Sequence, residues 1–316
     1  MGKVALLFPG QGAQFVGMGK DVAELSARAA AIYAQANDVV GYDLTKTCFD
    51  GPDERLQRTE VQQPAIFTTS VAIWEALLER GYDDADIVAT AGLSLGEYTA
   101  LYMAGSIGFD DALKLVQRRG TLMQAAAEAH PSGMVSVIGA EASTVETLCD
   151  RARGDDVLAP ANFNCPGQIV ISGSLSACQR AVEMAAEVGC RAIALKVAGA
   201  FHSPLMQPAA DGLIEALAGT PVSRSRIPVV ANVSAEPHGD ADSIRDALAR
   251  QVTQPVQWQR SIEGLIEDGV EAFVEIGPGR VLTGLMRKIR RGMKTTNISS
   301  AEGVCEQTSA SAEATR

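Results

Sequence analysis

Apolar positions along this 316-residue chain follow two alternating patterns. Short continuous runs occur at Val4–Phe8, Ile87–Thr90, Val229–Ala231 and Ala272–Ile276. Runs without polar alternation predict parallel strands covered on both faces. Between them, apolar residues recur at helical spacing. One such stretch is predicted to start at Pro64, pass through Trp74 and end near Arg80, with Gly81 as its stop. Another is predicted to be capped by Asp110 and to carry Leu113, Val116 and Gln117. Alternation of this kind means an α/β fold with a mainly parallel sheet.

The middle of the chain changes pattern. It reads as strand Met134–Ile138, helix Ser143–Arg153, strands Val157–Asn162 and Gln168–Ser172, helix Leu175–Val188 and strand Arg191–Val197. The order β-α-β-β-α-β is ferredoxin-like. Residues 132–198 are therefore expected to form a small inserted subdomain, and 1–131 with 199–298 the core. The tail 299–316, rich in Ala, Ser, Thr and Glu, has little to bury and is expected to be disordered.

Composition narrows the class. Hydrophobic residues make up 47 %, enough for a large core. No window approaches the ~20 apolar residues of a membrane span. Val4–Phe8 is too short for the apolar region of a secretory signal and lacks a small-residue cleavage site. The six cysteines lie far apart, with no C-x-x-C pair and no histidine spaced to complete a zinc site. They read as reduced structural thiols of a cytoplasmic protein. A net charge of −11 argues against nucleic-acid binding. The one basic cluster, Arg287, Lys288, Arg290, Arg291 and Lys294, is either a docking patch for an acidic partner or a solvated helix end.

The strongest chemical signal is Gly92-Leu93-Ser94-Leu95-Gly96, between a predicted strand and a predicted helix. Gly-x-Ser-x-Gly in that context is a nucleophile elbow. It places the Ser94 hydroxyl at a helix N-terminus, where the Leu95 N–H can stabilise a developing oxyanion. A serine nucleophile needs a base. Of three histidines, His130 precedes a proline at a predicted helix end and His238 lies in a polar loop, so both read as surface residues. His202, in Gly199-Ala-Phe-His-Ser-Pro, sits at a strand-to-helix junction and follows Ser94 in chain order, as the base does in hydrolase-like folds. The loop Phe8-Pro-Gly-Gln-Gly follows the first strand, and the Gln11 N–H is a candidate second oxyanion donor. It matches neither nucleotide-binding glycine pattern. In Gln117-Arg118-Arg119-Gly120, one arginine could clamp a carboxylate with paired hydrogen bonds, and spacing alone does not choose between them.

Taken together, these motifs resemble the malonyl-CoA–acyl carrier protein transacylases of fatty acid synthesis and the related acyltransferase domains of polyketide synthases. The resemblance runs in order to about Lys294. It includes Asn162-Phe-Asn-Cys-Pro-Gly-Gln, Gln254-Pro-Val-Gln-Trp and Glu275-Ile-Gly-Pro-Gly besides the motifs above. It implies a hydrolase-like core with a ferredoxin-like insertion and a Ser94–His202 dyad. It also implies a histidine oriented by the backbone carbonyl of Gln251, Arg119 as the malonyl clamp, and Phe201 crowding a branched acyl chain. The expected reaction is ping-pong transfer of malonyl from coenzyme A to the phosphopantetheine thiol of acyl carrier protein, with no metal or redox cofactor. The expected protein is a monomer without nucleic-acid or membrane partners. One departure stands out: the family usually has histidine before the nucleophile, where this chain has Leu93. Two rivals remain at this level. A serine hydrolase requires an acid orienting His202, and a carrier-binding scaffold requires no acyl-serine.

Overall fold

The computed structural model describes residues 2–314. Its central sheet has five parallel strands: β1 (Val4–Phe8), β2 (Ile87–Gly92), β7 (Val229–Val230), β8 (Ala272–Ile276) and β9 (Lys294–Ile298). Their order is β7-β2-β1-β8-β9. The fold is α/β with a mainly parallel sheet, as the apolar runs predict. Strand β1 shows why the runs carry no polar alternation. Leu6 and Phe8 point into one hydrophobic cluster, and Ala5 and Leu7 into another on the opposite face. Strand β9 escapes sequence prediction because Lys-Thr-Thr-Asn-Ile is an edge strand with four of five side chains at least partly exposed.

The second sheet is antiparallel: β3 (Ser132–Ile138), β4 (Leu158–Cys165), β5 (Gln168–Ser174) and β6 (Arg191–Ala194), in the order β4-β5-β3-β6. With helices Ala142–Arg153 and Leu175–Met184 on one face, it encloses its own apolar cluster, including Val135, Val145, Leu148, Ile171 and Ala181. This is the ferredoxin-like strand order.

Three local expectations need correction. The first long helix runs Thr59–Glu79, with Pro64 inside it. It begins earlier because Thr59, Val61, Gln62 and Gln63 are all buried, and packing outweighs the hydrogen bond a proline omits. The helix Phe109–Ala129 is preceded by Gly108 as its cap, so Asp110 is a first-turn acid instead. The tail is not disordered: Ala301–Ala314 is a helix, with Val304 fully buried in the main core and Thr308 also buried. One buried valine with a threonine a turn later suffices to dock a helix whose composition looks solvated. Residues 315–316 lie outside the described residues.

Candidate active site

The site lies at the carboxyl ends of β1 and β2, where ligands bind in open α/β sheets. The turn after β2 is as tight as its glycines require. A Cβ on Gly92 would meet the Gly96 carbonyl oxygen at 2.0 Å, and one on Gly96 would meet the Phe8 oxygen at 2.1 Å. A Cβ on Gly10 would meet the Leu93 oxygen at 2.2 Å, so the loop after β1 lies directly against the elbow. Between these contacts Ser94 takes a left-handed conformation, φ 52°. Leu95 follows it, fully buried, where helix Gly96–Met103 begins.

Ser94 Oγ lies 2.8 Å from His202 Nε2. His202 Nδ1 is 2.6 Å from the Gln251 carbonyl oxygen. A carbonyl only accepts, so the Nδ1–H tautomer is fixed and Nε2 is left to accept the serine proton. The carbonyl is free for this because Gln251 ends helix Ala241–Gln251, and the last carbonyls of a helix lack intrahelical partners. The helix end also carries partial negative charge, which suits a transient imidazolium. Burial and the nearby Arg119 push the His202 imidazole down to about 4, so it is neutral near pH 7.

Arg119 is 1 % exposed. Its Nη1 donates to Gln63 Oε1 at 2.7 Å, and its Nη2 to Ser94 Oγ and Gln251 Oε1, both at 2.9 Å. Its face lies over the Tyr98 ring. The structure thereby separates the two arginines that spacing leaves open: Arg118 is exposed, and Arg119 reaches the nucleophile. A cavity of about 190 Å³ opens over Ser94 and His202. Gln11, Leu93 and Phe201 line it from the core, and Met134, Asn162 and Gln168 from the antiparallel sheet. Ser94, His202, Arg119, Gln251, Gln11, Leu95 and Phe201 are thus brought together in one place.

Residues 5–309 match the acyl transferase domain family. The chain belongs to that family. It is 42 % identical over 306 residues to the malonyl CoA-acyl carrier protein transacylase of Bacillus subtilis, covering 96 % of each chain. Its structure resembles the transacylase of the same name from Clostridium perfringens, with a TM-score of 0.93, 38 % identity and coverage of 99 % and 98 %. It also resembles a malonyl-transacylase solved in complex with a type II polyketide acyl-carrier protein, with a TM-score of 0.94, 38 % identity and coverage of 98 % and 99 %.

This acyl transferase domain also contains site residues that sequence reasoning missed. Asn232 Oδ1 accepts from the Ser94 N–H at 2.6 Å, and its Nδ2 donates to the Gly92 oxygen at 2.7 Å, clamping both sides of the elbow. Glu97, fully buried, accepts from Gln251 Nε2 at 2.7 Å, from the Asn232 N–H at 3.0 Å and from His238 Nε2 at 2.8 Å. His238 is therefore not a surface residue: its side chain is 1 % exposed. The polar loop around it misleads because its backbone faces solvent while its ring turns inward. Glu97 was visible in the elbow motif, three residues after the nucleophile, where one helical turn brings a side chain back toward the same face. Three non-glycine residues among those described have positive φ: Ser94, His202 at 58° and Ala235 at 59°. The third sits in the loop that carries Asn232 and His238. His130 is exposed, as expected.

The acyl transferase's basic cluster is exposed, on the last turn of helix Val281–Ile289 and the residues after it. The same helix lends Val281 and Leu285 to the cavity wall. Lys288 Nζ donates to Gln168 Oε1 across to β5 at 2.9 Å. All six cysteines are free thiols. No helix among the described residues is long and apolar enough to cross a membrane.

Proposed function

We propose that this protein transfers malonyl from malonyl-CoA to the phosphopantetheine thiol of an acyl carrier protein, through a malonyl ester on Ser94. The observation that carries the reading is a fully buried arginine within hydrogen-bond distance of a serine already paired to a neutral histidine. A hydrolase of neutral esters has no use for a buried cation there. Glu97 offsets part of the cost of burying it without bonding to it, and a substrate carboxylate beside Ser94 would give it the direct charged partner it lacks. The names of the relatives support the same substrates and carrier.

In the first half-reaction His202 Nε2 takes the proton as Ser94 Oγ attacks the thioester carbonyl. The tetrahedral oxyanion is held by the amides of Leu95 and Gln11. Collapse expels the coenzyme A thiolate, which takes the proton from His202. Arg119 keeps the free malonyl carboxylate beside the ester. In the second half the carrier thiol gives its proton to His202, attacks the ester and returns the proton to Ser94 Oγ. The sequence is ping-pong, and the participants are substrates rather than resident cofactors. Phe201, 4 % exposed, limits the width of the acyl pocket and disfavours branched chains.

The same proposal takes the core as residues 1–131 with 199–298, onto which helix Ala301–Ala314 docks, and the inserted lobe as 132–198. It places the protein in the cytoplasm as a monomer, which sedimentation at micromolar concentration would check. The central experiment is intact mass after mixing with malonyl-CoA and no carrier. A malonyl-sized increase that Ser94→Ala abolishes, and that added carrier removes, is the expected result. Steady hydrolysis without an adduct would overturn the reading.

A further inference from the structure

Resting on that reading of Ser94, we propose that Glu97 is the acid of this site acting at one remove. It is a positioning residue that orients the Gln251 amide and, through it, both His202 and Arg119, with His238 holding Glu97 in place.

The argument starts from the two faces of an amide. A glutamine side chain can be turned so that either its oxygen or its nitrogen meets a given neighbour, and the partners decide which. Glu97 is an acceptor, so the nitrogen of Gln251 must face it, as it does at 2.7 Å. That nitrogen also donates to the Ser94 backbone oxygen at 2.9 Å. The amide oxygen then has only one direction left, toward Arg119 Nη2 at 2.9 Å. A flipped amide would set donors against the guanidinium. The same residue's backbone oxygen receives the His202 Nδ1–H. Gln251 therefore serves base and clamp at once, and its side chain is pinned by Glu97.

The carboxylate itself is held on both oxygens. Oε2 takes Gln251 Nε2 and the Asn232 amide, and Oε1 takes His238 Nε2. Glutamine at position 97 would bring one acceptor oxygen and two new donors to a place with three donors already. His238 Nδ1 has no hydrogen-bond partner, so the bond to Glu97 is the ring's single polar contact. The charge matters as well as the geometry. The direct hydrogen-bond partners of Arg119 are all neutral, and Glu97 is the carboxylate whose field favours its charged form. Four residues from three helices and one loop thus meet in one chain of bonds, His238–Glu97–Gln251–Arg119.

The test compares single-turnover acylation by malonyl-CoA and by acetyl-CoA, read by intact mass, in the wild type, Glu97→Gln, His238→Leu and His238→Gln. A residue that only holds the fold would lower the folded fraction and leave the malonyl-to-acetyl preference unchanged. A positioning role predicts that Glu97→Gln, with a wild-type circular dichroism spectrum, slows both acylations. The malonyl rate falls by roughly 100-fold and the acetyl rate by roughly tenfold, as expected for losing hydrogen bonds around charged groups. His238→Leu should shift the preference in the same direction, and His238→Gln, which can restore a donor near the Nε2 position, should recover it. The His238 pair decides the matter should Glu97→Gln fail to fold. Unchanged preference in Glu97→Gln, or equal preference in the two His238 variants, overturns the proposal. A wild-type protein that forms no malonyl adduct brings down the reading beneath it instead.

Discussion

Two buried glutamates stand at similar junctions and do different things. Glu97 follows the turn after β2, and Glu275 lies in β8 just before the turn that leads into helix Val281–Ile289. Both are fully buried. Glu275 accepts from the Leu282 N–H at 2.9 Å, from the Thr283 N–H at 2.8 Å and from Thr283 Oγ1 at 2.6 Å. Its carboxylate caps a helix N-terminus, where unpaired amides and positive dipole gather. Glu97 takes one backbone amide, and its other two bonds come from side chains of the site. With Asn297 Nδ2 at 3.2 Å as its fourth donor, Glu275 is bonded only to a helix start and the adjoining strand and holds them in place, whereas an acid bonded to side chains of the site sets their orientation. The partners, not the burial, tell the two apart.

The comparison can be sharpened by experiment. The largest effect belongs to the dyad: Ser94→Ala or His202→Ala should slow malonyl-enzyme formation by about 10⁴- to 10⁶-fold, measured by single-turnover mass spectrometry. Next comes Arg119→Ala, expected to cost roughly 100-fold or more with malonyl-CoA and far less with acetyl-CoA, because only the former presents a carboxylate. Glu275→Gln should lower stability by about 1–3 kcal/mol in urea denaturation, since one acceptor facing the Val281–Ile289 helix becomes a donor. Activity per folded molecule should stay at the wild-type level. A changed malonyl preference in that variant would erase the distinction drawn here.

The pH dependences also differ in sign. Burial lowers His202 to about 4, below its ordinary 6.5. The unfolded chain therefore binds a proton that the native one refuses, and this group's contribution to stability is lost as pH falls from 6.5 toward 4. The base stays neutral over the same range, so kcat/KM for malonyl-CoA should hold flat and fall only near pH 4. Burial raises Glu275 above its ordinary 4.5. Its contribution is present below that value and is lost as pH rises through the native one. The smallest effect is expected at Leu93, whose backbone binds Phe8 and Gly96 while its half-buried side chain lines the cavity at the edge of the core. Leu93→His should alter malonyl acylation by less than about tenfold.

Much of this was legible in the chain. The glycines around Ser94 announce a turn that nothing larger fits, and Ala198–Pro204 announces a junction carrying a base. The strand order of the inserted lobe follows from its alternating elements. What stayed hidden depends on contacts between distant segments. His238 looks solvated because its neighbours Glu236, Pro237 and Gly239 are polar or turn-forming, yet its ring partner is 141 residues away. The choice of Arg119 over Arg118 rests on helix phase, which spacing to a single glycine does not supply. The final helix looks unstructured because one buried valine carries its docking. Strand β9 exists because β8 offers an open edge to pair with.

The left-handed backbone at Ser94, His202 and Ala235 has a consequence for how the protein can change. Each such residue costs about 1–2 kcal/mol relative to a glycine in the same place. The molecule thus carries a standing instability concentrated around the Ser94 site. If Ser94 is the nucleophile, selection for heat resistance alone would drift toward Ser94→Gly, which relieves the backbone and removes the acyl acceptor. On the proposed mechanism, stability and catalysis pull this one position in opposite directions.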